Sequence, residues 1–246
     1  MLISIIIPYY KDEINILHSV NSAIKQSYKN IEIIIIDDEN SVISKKILLS
    51  IKKKSKKIKV ISLKKNAGVS QARNFGISHA SGNLIAFLDS DDIWKRDKLT
   101  MQVDFMNKNK IDLCYTNYYA FAGKKIIYKV KIKKSFDYNE LLNECPISCS
   151  SVLLKKNILD KNKFKDLKTK EDYELWLRIV KKKYKLGGIN KFLTGYRVRD
   201  NSLSAQHFNK LINAFKIYNK YNNFGIFTSM LCVLRLYCNA FIKKYL

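Results

Sequence analysis

Asp89-Ser90-Asp91-Asp92 places three carboxylates in four positions, directly after the apolar run 84–88. Three like charges at a rigid strand end repel one another unless a cation or a network of donors neutralises them. No His or Cys lies nearby, so the ligands on offer are oxygens, which suit Mg²⁺ or Mn²⁺. An ion held there could bridge a diphosphate and offset charge on a departing one. Two other apolar runs end in informative residues, Pro8-Tyr9-Tyr10 and Asp37-Asp38. An exposed ring such as Tyr10 can stack on a nucleobase, and Asp38 beside it can accept from a base N–H. Plainer readings stand next to these. Tyr10 fits the edge of a core, and Asp91 or Asp92 fits the cap of a helix near Trp94. Gly-x-Gly-x-x-Gly and Gly-Lys-Ser/Thr are both missing, which disfavours a dinucleotide fingerprint and a P-loop.

The elements that must position these residues are legible in the hydropathy. Residues 3–7, 31–36, 59–63 and 84–88 are short apolar runs, the third more polar. Such runs, apolar on both faces and separated by helical spacing, predict parallel strands buried under helices. Ile14, Leu17, Ala23 and Ile24 sit at helical intervals, and a helix over 69–79 is predicted with a cap at Asn66 or Ser70. Alternation over 1–107 predicts an open α/β sheet, whose ligand site lies beyond the carboxyl ends of the strands. After about residue 110 the pattern is mixed. Strands are predicted over 112–119, 126–130 and 192–197, with a turn at Ala122-Gly123-Lys124, and helices over 138–143 and 171–182.

The chain has 246 residues, 47% hydrophobic, with eight Gly and two Pro, which fits one sizeable core and excludes a mainly disordered chain. Its net charge is +25, but Lys outnumbers Arg by 40 to 6, and Lys, Ile and Asn share A/T-rich codons. Arg is the usual choice for bidentate phosphate recognition, so the composition argues against nucleic acid as a partner. It favours an anionic membrane surface or phosphorylated substrates. Five Cys without a Cys-x-x-Cys pair and three scattered His argue against a disulfide framework or zinc site and suit reduced thiols in the cytoplasm. The N-terminus lacks a basic start and reads as a first strand rather than a secretory signal. Residues 205–246 hold six basic and no acidic residues. Phe208, Leu211, Ile212, Phe215 and Tyr218 form one helical stripe, and 224–242 is more apolar but interrupted by Arg235. A basic amphipathic helix lying on a membrane and an ordinary core-covering helix both fit; a spanning helix fits less well.

Several blocks together resemble the family 2 glycosyltransferases. They are residues 3–13 (ISIIIPYYKDE), 31–41 (IEIIIIDDENS), 66–94, 170–178 (KEDYELWLR) and 196–204 (YRVRDNSLS). The block 66–94, NAGVSQARNFGISHASGNLIAFLDSDDIW, is the most specific. The resemblance implies a GT-A type α/β fold, with a mostly parallel sheet flanked by helices and a C-terminal helical tail. It implies a nucleotide-binding half at 1–110 and an acceptor-side half at 111–204, with the basic tail at 205–246. It also implies an inverting transfer of sugar from a nucleoside-diphosphate sugar, most readily a UDP-sugar, to a hydroxyl of a glycan or lipid-linked acceptor in surface polysaccharide assembly. Pro8 and Tyr10 match the wall around the base, Asp38 the acid that hydrogen-bonds it, and Arg73 a residue near the donor. Asp89 and Asp91 match the Asp-x-Asp motif, Asp91 being the implied ligand of Mn²⁺ or Mg²⁺. Asp172 matches the catalytic base; its plainer reading is the acidic first turn of a helix. Glu39-Asn40 replaces the family's small pair, Lys11 replaces an Asn, and no His lies near Arg199. A phosphatase of the haloacid dehalogenase type would carry its Asp-x-Asp after the first strand. The other rival is a non-catalytic basic protein that binds nucleotides or polyanions. The implied location is cytoplasmic, peripheral on the inner face of the membrane.

Overall fold

The computed structural model describes residues 1–144, 146–198 and 207–245, without the side chains of 207–208 and 240–245. The first half alternates as the hydropathy requires: β1 (Ile3–Tyr9), α1 (Ile16–Ile24), β2 (Ile31–Asp37), α2 (Val42–Lys52), β3 (Ile58–Ser62), α3 (Val69–Ser78) and β4 (Leu84–Phe87). These four strands are parallel in the order β3-β2-β1-β4. Ile34 and Ile36 enter the core on one face, while Ile33 and Ile35 enter the core on the other. Two-sided burial is why the run is apolar throughout rather than alternating.

β1 continues through Pro8, where a stop was expected. Ile6 O accepts from Leu88 N, which puts residues 6 and 8 on the β4 side of the strand. Pairing with β4 ends at Ile6, so the N–H that Pro8 lacks has no ladder partner to lose. The cap of α3 also differs. Gly68, at φ 84°, occupies that position, while Asn66 and Ser70 bond elsewhere. Gly76 lets α3 lie close on β1, since a Cβ there would fall 2.5 Å from Ile6 Cγ2.

The second half runs β5 (Ile93–Trp94), α4 (Lys98–Asn109), β6 (Leu113–Ala122), β7 (Lys125–Val130), α5 (Tyr138–Asn143), β8 (Leu153–Lys155), α6 (Lys156–Lys161), α7 (Glu171–Lys181) and β9 (Leu186–Arg197). β8 pairs antiparallel with β4 and extends the sheet to β6, β9 and β5. The sheet is therefore parallel through β4 and mixed beyond it. The helix expected near Trp94 is the short strand β5, so Asp91 and Asp92 cap no helix there.

The tail forms α8 (His207–Lys216), a π-helical turn (Ile217–Tyr221) and α9 (Ile226–Tyr245). The expected boundary at 204 lies outside the described residues. Ala214, Ile217, Tyr218 and Leu236 join the same core as Trp176 and Phe87. The Tyr218 hydroxyl lies 2.9 Å from that of Tyr173 on α7. Of the expected stripe, Phe208 is outside the described side chains, Tyr218 is buried, and Leu211 and Ile212 are exposed. Among the described residues no helix is long and apolar enough to cross a membrane.

Under β5, Lys98 is fully buried on α4. Its Nζ donates to Gln102 Oε1 at 2.8 Å and sits 4.2 Å from the centre of the Trp94 ring. Burial lowers its pKa from 10.5 to about 7. A depressed lysine contributes stability above its unfolded value and loses it as pH falls toward its folded value. Lys98→Met should therefore gain on the parent as pH falls from 10.5 to 7, by up to about 5 kcal/mol, and no further below. Denaturant titrations across that range check this; a pH-independent difference would contradict it.

Candidate active site

The acid-bearing turn after β4 is clamped from several elements. Ser150 Oγ accepts from Asp89 N at 3.1 Å, and Ser150 O accepts from Trp94 Nε1 at 2.8 Å. From α1, Ser19 Oγ reaches Ser90 O and Asp92 O at 2.7 and 2.5 Å. Asp12 accepts from Ser90 Oγ at 2.7 Å. From β9, Arg197 N donates to Asp92 Oδ1 at 3.0 Å and Arg197 Nε to Asp91 O at 2.8 Å. Asp89 and Asp91 remain half-buried at the strand end, whereas Asp92 is fully buried. Burial, with Asp91 and Asp89 beside it, holds the Asp92 carboxyl well above the usual carboxylate range.

Arg73 links this turn to the second half of the chain. It is 2% exposed on α3 and its guanidinium lies 5.4 Å from the Phe164 ring centre. Its Nη2 donates to Asp89 Oδ1 at 2.6 Å and its Nη1 to Glu171 Oε1 at 2.5 Å. Asp172, half-buried in the first turn of α7, accepts from Tyr173 N at 2.8 Å. Burial pushes Glu171 up to about 7, with Arg73 opposing and Asp172 adding. It raises Asp172 too, against Arg73 and the Tyr173 N–H. One guanidinium thus faces three carboxylates drawn from two sequence blocks.

At the carboxyl end of β1, the strand next to β4, Tyr10 is 48% exposed and Pro8 half-buried. Asp38 is buried, accepting from Ala67 N at 2.7 Å, Gly68 N at 2.9 Å and Asn66 Nδ2 at 3.2 Å. Burial raises its pKa, and the Ala67 and Gly68 N–H groups oppose the rise. Asp37 is a loop anchor, accepting from Glu39 N, Asn40 N, Ser44 Oγ and Ser62 Oγ. The atypical Glu39 accepts from Lys11 N at 3.1 Å, which ties the two base-side loops together.

All the expected residues of these sites except the flank of Arg199 fall within the described chain. Asp89, Arg73 and Asp172 come together; Pro8, Tyr10 and Asp38 lie at the adjoining carboxyl ends of β1 and β2. Glu171, Arg197, Ser150 and Asp12 were not assigned roles from sequence. Arg197 lay inside a resembling block, and Glu171 beside the expected base, but only the fold reveals their partners. Among the described residues no three of His, Cys, Asp and Glu converge as a ready-made metal cage.

The chain matches the family described as Glycosyl transferase family 2 over residues 4–162. It belongs to that family. A UDP-Glc:alpha-D-GlcNAc-diphosphoundecaprenol beta-1,3-glucosyltransferase of Escherichia coli, WfgD, is 37% identical over 85% of this chain and 82% of its own length. S. aureus TarS 1-349 in complex with UDP-GlcNAc superposes with a TM-score of 0.73 at 18% identity, over 95% of this chain and 70% of that one. The mannosyltransferase PcManGT from Pyrobaculum calidifontis, in complex with GDP-Man and Mn2+, gives 0.71 at 16% identity, over 95% and 68%. These structures share the fold, as the GT-A expectation required. The protein is a glycosyltransferase, which sets aside the phosphatase and the non-catalytic binder.

The bridge makes a stability prediction. Arg73→Met leaves Asp89, Glu171 and Asp172 without their buried cation, at a cost of about 3–5 kcal/mol near neutral pH. Glu171 and Asp172 then bind protons more tightly in the folded state, so the deficit shrinks toward pH 5. Denaturant unfolding of both proteins at the two pH values measures this. An equal deficit at both would contradict the assignment of charge.

Proposed function

We propose that this glycosyltransferase moves a sugar from a nucleoside-diphosphate sugar, most readily a UDP-sugar, to a hydroxyl of a lipid-diphosphate-linked glycan, with inversion, in surface polysaccharide assembly. The observation that supports it most is the Arg73 bridge, which joins the turn that carries Asp89 and Asp91 to the Glu171-Asp172 pair. The named activity of the E. coli relative supports the donor and acceptor classes.

In this reading residues 1–110 take the donor, 111–204 face the acceptor and 205–246 form the attachment tail. Pro8 and Tyr10 wall the base, and Asp38 accepts from it while its remaining oxygen capacity holds the Asn66–Gly68 loop. Arg73 serves the donor through Asp89 rather than by touch, because its side chain is buried behind Asp89 and Glu171. A divalent cation fits the strand end: the donors are all carboxylate oxygens, and Asp92 buries an unpartnered Oδ2 beside them. Asp91, helped by Asp89, would hold Mn²⁺ or Mg²⁺ there with diphosphate oxygens completing its shell; when bound, it offsets charge on the leaving diphosphate. Mn²⁺ accompanies GDP-Man in the PcManGT structure, which supports this choice.

Asp172 is the general base. An acceptor hydroxyl is a weak nucleophile, so the carboxylate takes its proton as the oxygen attacks the anomeric carbon and the nucleoside diphosphate departs. One displacement inverts that carbon. Arg73 keeps the Glu171–Asp172 pair ionised against its burial. The tail places the enzyme at the cytoplasmic face of the membrane. On α9, Ile226, Phe227, Met230, Leu231 and Leu234 form one exposed stripe, each more than half exposed, in a segment without acids. Because the tail's opposite side completes the core, surface substitutions rather than truncation are the way to test it.

Three outcomes test the chemistry. Asp172→Asn should bind UDP-sugars with unchanged calorimetric affinity yet transfer about 10²–10⁴-fold more slowly to a lipid-diphosphate-linked GlcNAc acceptor. Turnover near the parent's would move the base elsewhere. In Asp91→Asn, Mn²⁺ should no longer strengthen UDP binding; a preserved metal effect would remove Asp91 from the metal site. The parent's kcat/KM should also fall on the acid side as pH drops through about 7, where Glu171 gains its proton and the pair loses charge. A flat profile from pH 8 to 5.5 would contradict an ionised pair at work.

A further inference from the structure

β7 is an edge strand, hydrogen-bonded only to β6 among the described residues. Its Ile126, Ile127 and Tyr128 are 48%, 50% and 43% exposed. Six exposed lysines flank them in sequence, at 124, 125, 129, 131, 133 and 134, of which Lys133 is ion-paired with Glu140, and no acid occurs between Asp112 and Asp137. Lysines alone would guard such an edge against pairing with another chain. The apolar run interrupts that protection at a bulge, where the register slips between the Ala120–Tyr128 and Phe121–Ile126 pairs and leaves Ile127 as the extra residue. A patch both apolar and strongly positive suits an anionic bilayer, whose headgroups attract the lysines while the boundary region accepts the aliphatic and aromatic groups.

The hairpin is also linked to the acid-bearing turn. Ile126 stands opposite Phe121 in the β6–β7 register. The Arg197 guanidinium lies 4.5 Å from the Phe121 ring centre, and Arg197 Nε donates to Asp91 O at 2.8 Å. One ring and one guanidinium therefore connect the hairpin to the acid-bearing turn.

We propose that the β6–β7 hairpin is a second membrane contact, seated on the anionic bilayer surface so that the cleft turns toward a lipid-linked acceptor. This rests on the reading of α9 as the attachment helix. A single surface helix leaves the protein free to roll about the helix axis. A second contact, on an element tied to Asp91, removes that freedom and fixes the distance of the cleft from the headgroups.

The test places one tryptophan in the full-length chain, Tyr128→Trp, and adds phosphatidylglycerol vesicles with brominated acyl chains. Trp94 and Trp176 are 5% and 1% exposed, so the added indole dominates the quenchable signal. Phe227→Trp reports on α9 in parallel. Both should be quenched by brominated phosphatidylglycerol, and neither by brominated phosphatidylcholine alone. Lys124→Ser/Lys125→Ser should weaken partition onto phosphatidylglycerol vesicles roughly 30-fold, at about 1 kcal/mol per basic residue, with calorimetric UDP binding unchanged. Quenching of Phe227→Trp with Tyr128→Trp silent overturns the hairpin contact and leaves the attachment helix standing. Silence of both overturns the attachment as well. A dimer in sedimentation that Ile127→Asp dissociates, without lipid quenching, would make the edge a contact between two copies and overturn the proposal.

Discussion

A buried guanidinium has to be paired, and Arg73 is paired with one carboxylate from each half of the chain. Burying a charge costs several kcal/mol unless partners of good geometry surround it. Leaving three carboxylates together without a cation is worse still. Those two costs fix the relative position of α3, the turn after β4 and the start of α7. Everything around the bridge serves that requirement. Gly76 brings α3 onto β1, Phe164 covers the guanidinium, and Ser19, Ser150 and Arg197 hold the turn that carries Asp89. The price in acidity appears as the raised Glu171 and Asp172.

The first half of the fold was legible because both faces of its strands are buried. A run such as Ile33–Ile36 has no polar position to blur it. The second half was harder to read. β8 has three residues and β5 has two, too few to show a period. Asp91 and Asp92 looked like a helix cap because a local acidic pair before Trp94 suits one; pairing with the distant β9 made a strand instead. In the site, Asp89, Asp91 and Asp172 stood out through residue type and family pattern. The link between Arg73 and Glu171 did not, because 98 positions separate them and their meeting depends on the sheet extending from β4 through β8. The tail misled in a different way. Apolar residues occupy both its core face and its outer face, so no single stripe marks which side is buried.

Under the proposed function, the exposed apolar residues and the lysine excess share one explanation in the acceptor class. A polar soluble acceptor demands neither. A lipid-linked one demands that the cleft be held near a surface, and the surface of the inner leaflet is anionic. The stripe on α9 and the edge strand β7 are both apolar and lie in acid-free segments. Codon bias can supply the lysines without placing three apolar side chains among them on an edge strand.

The central claim is that Arg73 and Glu171 act on catalysis as a unit. A double-mutant cycle of Arg73→Met and Glu171→Gln, read as kcat for sugar transfer, tests it most directly. Breaking the bridge from either side should remove the same arrangement. The account predicts that the double variant is no slower than the slower single variant. Independent, multiplicative losses would contradict it.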